Sequence, residues 1–396
     1  MKFIKLGKIN KKFLIPVLGG TFRLIHLFLI GLNPKYEIAT KNPFILSIYT
    51  NIGMIFAFIP YLILKCRSKK AKIQKDTQNE SKLTIELIHY DIFLETRGSK
   101  FKLIGISTIC DFFQTVLGFL FCSRCVYNLW IFDIIFISFF SYFLLKTNFY
   151  RHQYVSMVII LILGLVLNII EYFKSDDNTN TLDPFEISMK FLTEIFFSLG
   201  VVISKYNMEK NYCSPYEICI WEGFLGLILY IIVLVIINKL ELTIDDIKYP
   251  NNFSEFIEGY DFNDFIVCFL QIIASCIYNI SIFVTCDYFT PVHILITSII
   301  KECYYHLKTM KNFIYNFLGI ITLILIAFTF LIFIEIIELN IFKISYNTKN
   351  NIEKRSRIDS QVDIKDMINL TDIVKPEPDD EEIRNSTFST FSENLQ

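Results

Sequence analysis

The chain has 396 residues, of which 53% are hydrophobic and 19% charged, with a formal net charge of -1. Soluble domains carry roughly 25% charged residues, so an ordinary soluble domain is a poor fit. The balanced charge excludes a strongly basic nucleic-acid surface. The ten cysteines lie mostly inside apolar stretches, without the spacing of a zinc site or of a disulfide framework. No metal and no cofactor is expected.

A bilayer core of about 30 Å takes roughly 20 helical residues to cross, and apolar runs near that length recur along the chain. Residues 1–12 are a lysine-bearing arm. The first run, 13–32, reads as a membrane helix rather than a signal peptide, because no clear cleavage site closes it and more runs follow. The second is 43–64. A basic loop, 65–100, comes next, with Leu83, Ile85, Leu87, Ile88 and Ile92 suited either to a short interfacial helix or to a solvated linker. The third run is 101–121, the fourth 126–145 and the fifth 154–173. The pair Cys122 and Cys125 between the third and fourth is a lone CxxC with no thioredoxin-like context. After an acidic linker, 174–184, come 185–204, 216–237 and 262–284. The ninth run, 291–305, is short and holds Lys301 and Glu302. The tenth is 313–334, extended to 339. Residues 341–396 are polar, with an acidic stretch at 377–382, and are expected to be a disordered cytosolic tail.

The runs divide into two fives, 13–173 and 185–340. Five is odd, so the halves would insert with opposite topology, and inverted repeats place substrate near the midplane between them. The expected fold is therefore an all-α integral membrane protein of ten transmembrane helices in two inverted five-helix repeats. With the N-terminus in the cytosol, about 23 Lys and Arg fall on the cytosolic side and about 8 on the other, as the positive-inside rule requires. Both termini are then cytosolic. Asn252 lies in a glycosylation sequon on the lumenal side, and the sequons at Asn369 and Asn385 on the cytosolic side.

The chain has no Walker A sequence, no HExxH, no GxSxG and no dinucleotide fingerprint. Its five histidines do not cluster, so an enzyme is not expected. Charges in hydrocarbon are costly and mark polar paths by default. The candidates for a substrate cavity or for coupling are Asp111 and Gln114 in the third run, Asp133 in the fourth, Glu222 in the seventh, Gln271 and Asn279 in the eighth, and Ser298 in the ninth. Asp111 stands out because it is near mid-span with no cation close in sequence. Glu194, Arg23 and Lys301 are read as structural charges that glue helices together, each placed where snorkelling to an interface is possible. Gly223 and Gly226 share one helix face and are read as packing glycines, as are Gly19, Gly20, Gly164 and Gly319.

The stretch 200–226 reads GVVISKYNMEKNYCSPYEICIWEGFLG. With Lys210, then Pro215, then Glu222-Gly223 and Gly226, it resembles the sixth loop and seventh helix of solute carrier family 35, subfamily F. That group sits beside the chloroquine-resistance-transporter-like proteins in the drug/metabolite transporter superfamily. Cys110-Asp111, the 293–299 stretch HILITSI, the Asn42-Pro43-Phe44 opening and the Lys65-Cys66-Arg67 exit are similar too. The resemblance spans roughly 13–340. It implies the same ten helices in two inverted repeats, alternating access and a small organic substrate. It also implies residence in an endomembrane such as Golgi, lysosome or vacuole. The chain departs from the pattern where Asp133 replaces an Arg-Gly pair and where Thr297-Ser298 precedes Lys301. Nucleotide-sugar-like, amino-acid-like and drug-like cationic substrates therefore all stay open. The partners expected are a small molecule and the lipid bilayer, with no nucleic acid and with monomer and homodimer both open. A non-transporting scaffold or receptor, recruiting partners through its tail, is the alternative.

Overall fold

The computed structural model describes residues 4–6, 11–32, 43–66, 97–121, 129–174, 184–240, 243–244, 247–248, 262–308 and 313–339. Asn252, most of the 65–100 loop, Cys122 and Cys125, the acidic linker and the 341–396 tail lie outside these.

Among the described residues each apolar run carries an α-helix. These are α1 (Leu14–Leu32), α2 (Pro43–Ile55), α3 (Arg97–Phe121), α4 (Asp133–Leu144), α5 (Arg151–Lys174), α6 (Pro184–Asn211), α7 (Pro215–Leu240), α8 (Phe262–Tyr288), α9 (Leu295–Lys308) and α10 (Phe313–Phe333). In hydrocarbon each backbone N–H and C=O must find a partner within its own segment, which leaves the helix as the local solution. Side-chain hydroxyls follow the same rule. Thr108, Thr115 and Thr285 donate to carbonyls four residues back, at 2.8, 3.0 and 2.6 Å.

Seven described segments are long and apolar enough to cross a membrane: Ser47–Cys66, Gly98–Gly118, Arg151–Phe173, Pro184–Asn211, Pro215–Ile236, Phe262–Tyr288 and Ile314–Phe333. The chain is thus a multi-pass helical membrane protein. Its outward faces fit lipid, since Val158, Ile162, Leu165 and Ile169 form an exposed apolar stripe along α5, and Ile314, Phe317 and Ile324 one along α10.

Several ends differ from the sequence reading. The second span turns at residues 56–57 before continuing as helix over 58–66. Pro60 has no N–H to offer the carbonyl of Phe56 and its ring crowds that carbonyl. α3 begins at Arg97 rather than 101, and α6 runs past 204 to Asn211. α4 is shorter than expected, because the tight turn Leu129–Phe132 precedes it. A second tight turn, Pro291–Ile294, precedes α9. α10 does not extend to 339. It ends at Phe333, and Glu335 takes a φ of 62° that stops the helix.

The most extensive helix contacts are α3 on α6, α1 on α8, α2 on α7 and α8, α4 on α6, α1 on α9, and α3 on α7. Each of these joins a helix of 13–173 to one of 185–340. Two apolar clusters fill the interior. One holds Ile131, Ile134, Leu167, Leu295, Leu323 and Phe330. The other holds Met54, Ile104, Met208, Ile218, Phe283 and Ile294.

The chain divides into two units, one of residues 6–149 and 153–337, and one of residues 1–5, 150–152 and 338–396. The first contains the helix contacts above and a short antiparallel pair, β2 (Thr243–Ile244) with β3 (Ile247–Lys248). β1 (Ile4–Leu6) pairs with β4 (Ile337–Leu339). In the second unit the rings of Tyr150 and His152 stack 6.0 Å apart.

Candidate functional site

Ser107, Asp111 and Gln114 are spaced four and three residues apart, which puts them on one face of α3. Gly200 lets α6 approach that face: a Cβ there would lie 3.3 Å from the Cβ of Cys110. Between α2, α3, α6, α7 and α8 this leaves a cavity of about 100 Å³, lined by Thr50, Asp111, Gln114, Phe196, Phe197 and Asn279 among others. That is the volume of about three waters in the liquid.

Glu222 enters the cavity from α7 and is buried. Its Oε1 accepts from Ser107 Oγ at 2.5 Å and Ser204 Oγ at 2.9 Å. Each hydroxyl carries one proton and has a second acceptor in reach, the carbonyl of Ile104 at 2.9 Å for Ser107 and of Gly200 at 3.0 Å for Ser204. When a serine turns to its own helix, only a protonated Glu222 can close the contact. The trio can therefore hold or release a proton without moving the backbone. Asp111 differs, being exposed within the cavity.

Below the cavity, Lys100 of α3 reaches Glu217 of α7 at 2.5 Å, with the lysine side chain 5% exposed and the glutamate 24%. Asn207 Nδ2 donates to the Lys100 carbonyl at 3.3 Å, and Asn211 Nδ2 to Asn207 Oδ1 at 2.7 Å. Phe101 meets Trp221 edge to face at 5.0 Å. Together these tie α3, α6 and α7 at one end of the cavity.

A second polar group lies further along α6. Asp133 opens α4, and its Oδ1 accepts from Ser198 Oγ at 3.3 Å. Glu194, one turn from Ser198, lies near Asp133 and pairs with Lys190 at 3.2 Å. Glu194 is 6% exposed, held inside the bundle beside Lys190 as a structural charge would be. Lys301 pairs with Glu302 at 2.9 Å, and Arg23 lies over the Tyr278 ring at 5.3 Å.

The structure brings Asp111, Gln114, Glu222 and Asn279 together in the cavity. It puts Asp133 in the second group. Gln271 is buried outside the cavity wall, where its backbone carbonyl accepts from His26 Nδ1 at 3.2 Å. Ser298 is buried on α9, also away from the wall. Gly223 and Gly226 sit where α7 crosses α2, against Met54 and Asn51. Asn252 is outside the described residues. Among the described residues no three His, Cys, Asp or Glu side chains gather as a metal site would need.

Ser107, Ser204, Lys100 and Glu217 were not singled out from sequence. A serine in an apolar helix ordinarily bonds its own backbone, so nothing marked these two as partners of a carboxylate. Lys100 and Glu217 stand at the ends of spans, where charged flanks are ordinary. A comparison of the chain with protein-family models finds no match, and a comparison with curated proteins finds none either.

Proposed function

We propose that the protein is a secondary carrier that moves a small organic metabolite across an endomembrane by alternating access, with both termini in the cytosol and no catalytic reaction of its own. The observation that carries this reading is the polar cavity in the helix bundle, with Asp111 from one half of the chain and Glu222 from the other. Ligand sites for drug-sized molecules measure roughly 300–1,000 Å³. The cavity of about 100 Å³ fits a narrowed state, in which Lys100 and Glu217 close the end that the lysine distribution assigns to the cytosol.

The helix contacts favour two five-helix repeats of the drug/metabolite transporter type. Shifting every helix number by five turns α3 on α6 into α8 on α1, α2 on α8 into α7 on α3, and α4 on α6 into α9 on α1. Each of these contacts is made, and α2 on α7 maps onto itself. The tight turns before α4 and α9 are related by the same shift. Rocking one repeat against the other would expose the cavity alternately. The scaffold reading draws on the other polar group, where Glu194 and Glu302 are ion-paired as structural charges would be.

The test is a metabolite screen on purified full-length protein in proteoliposomes, read by mass spectrometry of the vesicle contents. The carrier reading expects at least one small organic compound to equilibrate with wild-type protein and to be slowed tenfold or more by Glu222→Gln. Identical profiles for wild-type, variant and protein-free vesicles would sink it.

A further inference from the structure

We infer that the cavity is built for organic cations, small molecules that carry an ammonium-type charge beside an apolar portion; transport of such a cation rests on the carrier reading above, and its binding does not. Two of the lining side chains are carboxylates, Asp111 and Glu222, and none is Lys, Arg or His. Of the cations near the lining residues in sequence, Lys100 is held by Glu217, and Lys205, next to Ser204, pairs with Glu209 at 3.3 Å and donates to the Asp287 carbonyl at 3.1 Å. An anionic ligand would meet two carboxylates and no compensating charge. That argues against phosphate-bearing substrates.

The two carboxylates are not equivalent. Glu222 is engaged by Ser107 and Ser204. Asp111 is exposed to the cavity and has no ion pair among the described residues. It is the oxygen pair left for a ligand's charge. Phe196, Phe197 and Phe283 form apolar wall, and Phe196 is braced by stacking on Phe113 at 5.4 Å. An aromatic face attracts a cation and tolerates its methyl groups. Gln114 and Asn279 add neutral polar contacts that suit a hydroxyl or carbonyl on the same ligand.

The test compares probes that differ chiefly in charge. Equilibrium dialysis of the purified full chain is run with choline, with its uncharged carbon analogue 3,3-dimethylbutan-1-ol and with the anion 3,3-dimethylbutanoate. Tetramethylammonium and 1-methyl-4-phenylpyridinium bracket the size. At least one cation is expected to bind saturably, ten times or more tighter than the alcohol, with the carboxylate weakest. Asp111→Asn is expected to lower cation affinity tenfold or more and to leave the alcohol unchanged, its folding checked by gel filtration. The wild-type comparison needs no variant.

Equal binding of cation and alcohol, tighter binding of the carboxylate, or binding of none of the three cations would overturn the inference. Uptake of the same probes into proteoliposomes separates the two readings. A cation that binds and is not transported, together with a metabolite screen that shows no transport, leaves the cation site standing and removes the carrier. A carboxylate that is transported while the cations are not leaves the carrier and removes the cation site.

Discussion

Glu222 owes its place to two hydroxyls on other helices, and that dependence can be measured. A buried acceptor that loses its donor costs about 1–3 kcal/mol. The double variant Ser107→Ala, Ser204→Ala is therefore expected to lower the thermal midpoint in detergent clearly. Glu222→Gln keeps one acceptor oxygen and is expected to lower it less. A double variant as stable as wild type would mean that the serines bond only their own carbonyls. A second position concerns backbone strain. Tyr212 follows α6 with a φ of 50° and is 71% exposed. A left-handed residue with a Cβ costs roughly 1–2 kcal/mol, which glycine at the same C-terminal position avoids. Tyr212→Gly is expected to stabilise the protein by about 1 kcal/mol, seen as a raised midpoint in the same assay.

Among the helices, the crossing of α2 and α7 is tightly specified. A Cβ at Gly223 would lie 2.7 Å from the Met54 Cβ and 2.8 Å from the Asn51 carbonyl oxygen. Backbone cannot swing aside as a flexible side chain can. Gly223→Val is expected to cost several kcal/mol, on the scale of an overpacked core. Gly105 in α3 gives the contrast, since a Cβ there meets nothing within 4 Å. Gly105→Ala is expected to add about 0.5–1 kcal/mol by removing a flexible residue from a helix interior. Glycines of the same composition thus differ in role, and unfolding midpoints of the two variants should move in opposite directions. The break in the second span belongs at this scale too, since Pro60 removes the helix bond to the Phe56 carbonyl where the span turns.

For the molecule as a whole, the Lys100–Glu217 pair and the orientation in the membrane are the consequential features. Removing one partner of a buried pair leaves the other uncompensated, at a cost of about 3–5 kcal/mol when burial is complete; the part-open Glu217 reduces that figure. Lys100→Glu is expected to destabilise, and the exchange Lys100→Glu, Glu217→Lys to recover much of the loss. No recovery would show that the two charges act independently. Orientation is tested by glycosylation. Expressed in a eukaryotic cell, the chain is expected to carry glycan at Asn252 and none at Asn369 or Asn385, read from glycosidase-sensitive mobility of single-sequon variants. Glycan on the tail sites would invert the topology.

The sequence by itself determined where helices form, since every peptide group in hydrocarbon must be satisfied inside its own segment and a long apolar run leaves no other choice. It also determined that Asp111 and Gln114 share a face, because that follows from local spacing on α3. Only the tertiary structure decided what those faces meet. α7 is apolar nearly all round, so no periodicity marks which side is buried, and nothing local says that Glu222 points at Ser107 and Ser204. Gln271 and Asn279 sit on the same helix with equal claims from sequence, yet one lies outside the cavity wall and the other in it. Asp111 and Asp133 are both acids inside neighbouring apolar runs, yet they end in different polar groups. In each case the outcome turns on the rotation of a helix about its axis. That rotation is set by contacts with the opposite half of the chain, far away in sequence.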